Sequence, residues 1–595
     1  MINFEIKEDF LINEKPVKLI SGAVHYFRSM PEKWELILHN LKAMGCNTVE
    51  TYVPWNLHEP KPGVYNFDGF ADIEQFLNLA QEMDLYIILR PSPYICAEWD
   101  FGGLPGWLLK DKNMRIRSQQ SEFLKRVDSY YKELLLRVNK FQTTQGGNLL
   151  MMQIENEYGS YSEDKDYLRA IANIMKKYGV DVPLFTSDGG WKQVLDAGTL
   201  GEDGILATAN FGSDADTNFT ALKEHNKKHG LTHPYMCMEF WDGWFNNWEE
   251  PIIKRDPEET AEEVREILKW GSINFYMFHG GTNFGFYNGC SDMGERNVPQ
   301  ITSYDYDAPL NEEGAPTEKF FAIQRVIKEE CPDVEVFEPR YPELGNLGAA
   351  KLKEKVSLFN CIDDVAKRVE NDYVLTMEEV DQSFGYILYR SYLEGKRTIE
   401  DLRVVDASDR IQIFVNEELK ATQQYEEIGG KVKVSLEKDI NQLDILVENT
   451  ARNNYGPKLV AETQSKGIRS GVMEDIHYIS HWEHYSVDLE KISKIDFSKE
   501  WQKNVPGFYH LELDVSKIKD TYINCQNLGK GVIFVNGFNI GRFWENGPAV
   551  SLFVPKSILN EGINSIVVFE TEGREITNLE FLDYPIFIEV PKKSV

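Results

Sequence analysis

Between residues 17 and 278 the chain switches repeatedly between two hydrophobic periods. Short apolar runs lie at Val17–Val24, Asn47–Val53, Leu85–Arg90, Leu149–Ile154, Pro183–Ser187, Ile205–Asn210, Tyr235–Glu239 and Ile273–Phe278. Longer amphipathic segments lie at Glu32–Met44, Ala71–Met83, Gln119–Phe141, Asp164–Tyr178, Pro257–Trp270 and Glu318–Lys328. The first kind reads as buried strands and the second as helices that cover them. No helix is assigned between Pro183 and Tyr235. Eight strands, most followed by a helix or a long loop, predict an eight-stranded β/α (TIM) barrel over residues 1–330. A doubly wound open sheet is the alternative. It would bring a glycine-rich phosphate loop after an early strand, and the sequence has none.

Past residue 330 the helical period stops. Cys331 to Gly348, punctuated by Pro332, Pro339 and Pro342, reads as a linker. Beyond it, IQIFVN (Ile411–Asn416), LDILVEN (Leu443–Asn449), GVIFVNG (Gly531–Gly537) and SIVVFE (Ser565–Glu570) are strands with turn residues between them. The pair IQIFVNEEL and LDILVEN recurs in form as GVIFVNGFN and NSIVVFE. Two β-sandwich units follow from this weak repeat, at 331–490 (with the linker) and 491–595. The opening MINFEIKEDFLINEKPVKL alternates and carries acidic residues, so it reads as a hairpin rather than an export signal. No run of about 18 apolar residues predicts a membrane span. A cytoplasmic location is the expectation.

Charge and composition narrow the partners. A net charge of −31 leaves nothing to neutralise phosphates in bulk, which argues against nucleic acid. The 12 Trp residues suit sugar faces, but aromatic side chains fill cores equally well, so their number alone decides nothing. Seven scattered cysteines, odd in number and without CxxC spacing, favour reduced thiols over a disulfide framework.

In barrels of this kind the reacting groups sit at the C-terminal ends of strands. Those ends carry His25; Tyr52, Trp55 and Asn56; Glu98 and Trp99; Asn156 and Glu157; Asp188; Asn210; Glu239 and Trp241; and His279. Such a run of polar and aromatic strand ends predicts a pocket for a neutral, hydroxyl-rich ligand. Cleaving a glycosidic bond needs two carboxyl groups, one to protonate the leaving oxygen and one to attack the anomeric carbon or activate water. Glu157, ending the fourth strand, and Glu239, ending the seventh, face each other across the mouth of a closed barrel. His25 and His279 are expected to support the site as donors. No His, Cys or carboxylate cluster has the spacing of a metal site, and no cofactor is expected.

The string QIENEYGS (Gln153–Ser160) resembles the acid/base signature of the β-galactosidases of glycoside hydrolase family 35, and MEFWDGW (Met238–Trp244) resembles their nucleophile motif. Further similar strings are GAVHYFR (Gly22–Arg28), TYVPWNLHEP (Thr51–Pro60), RPSPYICAEWDFGGLPGWLL (Arg90–Leu109), HGGTNFGF (His279–Phe286), TSYDYDAPLNEEG (Thr302–Gly314) and ENTARNNYGP (Glu448–Pro457). The resemblance implies a retaining exo-β-galactosidase with Glu157 as acid/base and Glu239 as nucleophile. It implies a galactose site of Tyr52, Cys96, Ala97, Glu98, Asn156 and Tyr306, with β-sandwiches of jelly-roll, galactose-binding-like type. Ser92 replaces the glycine usual in the third-strand motif, and Ala451 replaces the one usual before Arg452. Trp241, Trp244 and Tyr455 are candidates for the leaving-sugar subsite, suggesting galactose β1,3-linked to an N-acetylhexosamine. The expected partner is a β-galactoside oligosaccharide or glycan, with a homodimer left open beside a monomer. An exo-β-glucosaminidase of the same architecture and a catalytically inactive galactose-binding protein are the competing readings.

Overall fold

The computed structural model describes residues 2–91, 93–294 and 296–591; Ser92 therefore lies outside the described residues. Eight parallel strands close into a barrel: β1 (Ile20–Val24), β2 (Thr48–Tyr52), β3 (Tyr86–Arg90), β4 (Leu149–Gln153), β5 (Leu184–Gly189), β6 (Leu206–Phe211), β7 (Met236–Trp241) and β8 (Ser272–His279), with β8 pairing back onto β1. Nearly every strand residue is buried, because side chains on one face fill the barrel and those on the other meet helices. The helices α1 (Pro31–Met44), α2 (Ile73–Glu82), α3 (Ser121–Val138), α4 (Lys165–Lys177), α5 (Lys192–Gly198), α6 (Ala215–Lys228), α7 (Pro257–Trp270) and α8 (Glu318–Glu330) follow the eight strands in turn.

Two local readings of the sequence change. The run Val17–Val24 is not one strand: Lys15–Val17 pairs antiparallel with Phe10–Ile12 in a three-stranded sheet that includes Phe4–Ile6, and β1 begins only at Ile20. α5 and α6 fill the segment where no helix was assigned. α6 buries His225 and Asn226 along with Ala215, Phe219 and Leu222, so its buried face is too polar to give a clear apolar period.

The β region is organised around antiparallel sheets. A six-stranded sheet, with Gly385–Glu394 and Ile440–Asn449 at its centre, and a four-stranded sheet enclose a core that includes Ile387, Ile399, Leu443 and Trp482. An eight-stranded sheet surrounds a second core that includes Tyr509, Leu511, Ile533 and Phe581. Its strand Gly348–Ser357, which the sequence reading grouped with the first β region, pairs with Gly507–Val515 on one side and Asn578–Leu582 on the other. Five of its ten residues are exposed and only three are buried, and the charges of KLKEK hide its pairing from the sequence.

The internal repeat is a repeat of hairpins. Arg410–Val415 turns into Glu418–Gln423 and pairs with Ile440–Asn449; Lys530–Val535 turns into Phe538–Trp544 and pairs with Gly562–Glu570. Both turns begin with a left-handed asparagine, Asn416 (φ 52°) and Asn536 (φ 50°), whose side chains accept from the backbone of Gln442 and Ser565 at 3.2 and 2.9 Å.

Candidate active site

Glu239, near the end of β7, is 5% exposed and is approached by three donors. The Tyr52 hydroxyl and the Arg90 guanidinium lie 2.6 and 2.7 Å from Oε1, and the Trp241 indole N–H donates to Oε2 at 3.2 Å. Tyr52 ends β2 and Arg90 ends β3, so neighbouring strands deliver both to one oxygen. The Tyr52 oxygen also sits 2.7 Å from Asn156 Oδ1, and its single proton can serve only one acceptor at a time. Arg90 bridges the two carbonyl-type acceptors, donating to Asn156 Oδ1 at 2.9 Å, and stacks over the Tyr52 ring at 4.0 Å. Behind it lies Glu50, fully buried, 3.9 Å from Arg90 and pushed up to about 7 by burial, with the Glu239 charge acting in the same direction.

The loop after β4 turns sharply, with Glu155 (φ 52°) and Glu157 (φ 43°) in the left-handed region. A clamp holds it there. Arg117 makes two bonds to Glu155, at 3.0 and 2.8 Å, and a third to the Asn156 carbonyl at 2.6 Å, while Tyr167 donates to Glu155 at 3.0 Å. Glu157 keeps part of its side chain open to solvent and accepts from Asn210 of β6 at 3.1 Å. Protein crowded around its carboxyl, and then the charge of Glu239, lift it to about 7 against the opposing effects of Asn210 and Arg90. The two glutamates thus sit within electrostatic reach but in unlike surroundings: one met by a cation and two neutral donors, the other by an amide and a like charge.

The loop after β3 carries an unusual feature. Cys96, Ala97 and Glu98 are consecutive non-glycine residues at φ 58°, 53° and 46°. Left-handed backbone costs L-residues roughly 1–2 kcal/mol each, so this turn needs external support. Arg28 donates to the Ala97 carbonyl, Tyr304 donates to a Glu98 carboxyl oxygen, and Gly289 N–H donates to the Glu98 carbonyl at 2.9 Å. Burial raises Glu98 to about 7, and it also pushes the Cys96 thiol well up, which makes that sulfur an inert lining group. Tyr306, itself left-handed at φ 64°, packs against Tyr276 and Tyr304 with ring centroids 5.7 and 5.4 Å away.

Trp241 and Trp244 meet edge to face at 5.8 Å, and Trp244 stacks on Phe245 at 5.1 Å. Tyr455 reaches the same mouth from the first β region. It is 48% exposed, and after burial the charge of Glu157 is the next cause that raises its hydroxyl. The glutamates, Tyr52, Asn156, Glu98 and Tyr306 share one electrostatic neighbourhood, whereas Trp55 is fully buried away from it, stacked on Tyr130 of α3 at 5.1 Å. His25 differs from its expected donor role on one side: its Nδ1 lies 2.6 Å from the Arg28 guanidinium and so accepts, and burial holds the ring well below the ordinary histidine range. His279 contacts the Glu312 carbonyl through Nε2 at 3.1 Å.

Sequence reasoning missed Arg90, Arg28, Glu50, Tyr276 and Tyr304. Arg90 left a trace that could have been used, because a lone arginine closing the apolar run LYIIL must find a buried anion. Among the described residues, no group of three His, Cys, Asp or Glu side chains could hold a metal ion, and no helix is long and apolar enough to cross a membrane.

Comparison with known proteins agrees with this architecture. Residues 9–330 match the profile of glycosyl hydrolases family 35, residues 374–488 that of the first all-beta domain of beta-galactosidase, and residues 506–564 that of its galactose-binding domain. "Beta-galactosidase 17" of Arabidopsis thaliana is 37% identical over an alignment covering 98% of this chain and 89% of that protein. "Beta-galactosidase" of Felis catus is 36% identical, covering 98% of this chain and 92% of its own length, and "Beta-galactosidase-1-like protein" of Mus musculus is 36% identical, covering 97% and 90%. A barrel of this form followed by these all-β units defines a glycoside hydrolase. More particularly, the chain belongs to family 35 of the glycosyl hydrolases.

Proposed function

We propose that this chain is a retaining exo-β-galactosidase that removes terminal non-reducing β-D-galactose by double displacement, with Glu239 as nucleophile and Glu157 as acid/base. The unlike surroundings of the two glutamates carry the reading. Glu239 Oε1 is held by Tyr52 and Arg90, which leaves Oε2, with its longer Trp241 bond, the freer oxygen to attack the anomeric carbon. Glu157, lifted to about 7, carries a proton for the leaving oxygen. Esterification of Glu239 removes the negative charge that raises Glu157. The same group then becomes acidic enough to serve as base for the water that releases galactose.

Around the sugar, Tyr52, Cys96, Ala97, Glu98, Asn156 and Tyr306 form the galactose pocket in this reading, with Glu98 accepting sugar hydroxyls. Trp241, Trp244 and Tyr455 form the platform for the second sugar, and a β1,3-linked N-acetylhexosamine is the proposed leaving group. All seven cysteines are free and six are buried, which supports a reducing, cytoplasmic setting. The decisive experiment is hydrolysis of a nitrophenyl β-galactoside followed by proton NMR. Release of β-galactose as the first-formed anomer is expected; α-galactose would exclude double displacement, and release from a glucosaminide but not a galactoside would favour the exo-β-glucosaminidase alternative.

A further inference from the structure

We propose that Asn454, on the first β region, is a positioning residue for the galactose pocket, holding the left-handed turn Cys96–Glu98 from the side the barrel does not reach. The inference rests on the reading of that turn as part of the galactose site. Barrel groups grip its later half, through Arg28 on the Ala97 carbonyl and through Tyr304 and Gly289 on Glu98. The earlier half is gripped by Asn454. Its side-chain N–H donates to Cys96 Sγ at 3.4 Å, and its carbonyl accepts from the Tyr94 hydroxyl. Asn454 is itself fixed on both sides of Cys290, accepting from that residue's N–H through Oδ1 at 3.1 Å and donating its own N–H to that residue's carbonyl at 3.3 Å.

Two residues earlier, Arg452 fastens the same loop to the turn's far end. Its backbone N–H donates to Asp100 at 2.7 Å, and its fully buried guanidinium reaches Asp100 at 3.3 Å and Glu378 of the β region at 2.6 Å. The junction has no slack. A Cβ on Gly102 would stand 2.2 Å from the Tyr94 ring and 3.2 Å from the Asn454 carbonyl, and one on Gly289 would stand 2.6 Å from Asn454 Oδ1 and 2.7 Å from the Glu98 carbonyl carbon. A backbone this closely enclosed passes any displacement of Asn454 to Cys96 and, through the turn, to the Glu98 carboxyl. Asn454 also precedes Tyr455, so its effect on galactose must be separated from its effect on the leaving sugar.

Free galactose makes that separation, because as a product inhibitor it fills only the galactose pocket. In the full-length protein, Asn454→Ala should raise the inhibition constant for galactose and the KM for a nitrophenyl galactoside about tenfold, the reach of one well-placed hydrogen bond. The value of kcat should fall less than KM rises. Tyr94→Phe removes only the hydroxyl and should shift the same constants in the same direction, about threefold; it carries the test if the alanine variant does not fold. An unchanged galactose constant in a folded Asn454→Ala protein, or a loss confined to disaccharide substrates, overturns the positioning role. An unmodified enzyme that neither releases galactose nor is inhibited by it overturns the galactose reading itself.

Discussion

The pKa of Glu157 should fall and rise within each catalytic cycle, and the amplitude can be worked from its neighbours. The carboxyl is lifted from 4.5 to about 7, on the order of 3 kcal/mol. Burial supplies the largest share and the Glu239 charge the next. A unit charge about 5.5 Å away, the usual carboxyl separation of a retaining enzyme, interacts by about 3 kcal/mol at an effective dielectric of about 20. Arg90 at 2.7 Å offsets part of that charge. Converting Glu239 to a neutral ester should therefore lower Glu157 by about one to two units, and the uncompensated Arg90 acts in the same direction. Carbon-13 NMR of glutamate-labelled protein, assigned with Glu157→Gln, would follow the titration in the free enzyme and in the enzyme trapped by a 2-deoxy-2-fluoro galactoside. A Glu157 carboxyl that titrates unchanged, or higher, in the trapped form would refute the electrostatic coupling on which the dual role depends.

Glu157→Gln should retain turnover of substrates whose leaving groups need no proton, with azide accelerating it, whereas Glu239→Gln should form no covalent adduct with the fluoro sugar by mass spectrometry. Trp244→Ala and Tyr455→Ala should lower kcat/KM for a disaccharide by about tenfold or more, the cost of about 1.4 kcal/mol of lost stacking, while a nitrophenyl galactoside loses little; equal losses would assign the rings to the fold. Glu50, Glu98 and Glu157 are each raised to about 7 and Glu312 to about 8. The folded protein thus holds protons that the unfolded chain releases near pH 4.5, so their contribution to stability falls as pH rises through about 4.5–8. Melting temperature measured across that window should decline if these groups dominate, and a rise between about pH 4 and 6.5 would show that the buried histidines His58, His225 and His279, each lowered to about 4, outweigh them.

The barrel was legible because burial on both faces forces uninterrupted apolar runs, and because the polar residues that close those runs stand out against them. Glu157 and Glu239 were found that way. Their supports were not, for particular reasons. Glu50 sits inside TVETY and Tyr276 inside INFYMF, where strand pattern alone does not separate a side chain facing the nucleophile from one packing the wall. The left-handed turn Cys96–Glu98 has no glycine to announce it; only the Gly102–Gly103 pair that follows hints at a crowded backbone. Asn454 and Arg452 were visible as part of a motif, but their partners lie more than 350 positions earlier in the chain. The strand Gly348–Ser357 shows the same limit: three lysines and a glutamate conceal a pairing decided by residues not reached until Gly507.

That strand has a bearing on how the molecule is made. On a ribosome, Gly348–Ser357 emerges well before either of its neighbours, and the whole first β region is synthesised while it waits. It lies at the centre of its sheet, with Gly507–Val515 on one flank and Asn578–Leu582 on the other, so the eight-stranded layer cannot close until Asn578–Leu582 has been made. Its three lysines and Glu354 suit this delay, since a charged waiting strand is a poor template for another unfinished chain. The eight-stranded sheet is thereby a late-closing clasp that ties Asn578–Leu582 back to the segment that follows α8. Deleting Asn578–Leu582 would cost more than one strand, because Gly348–Ser357 would lose one of its two flanking partners.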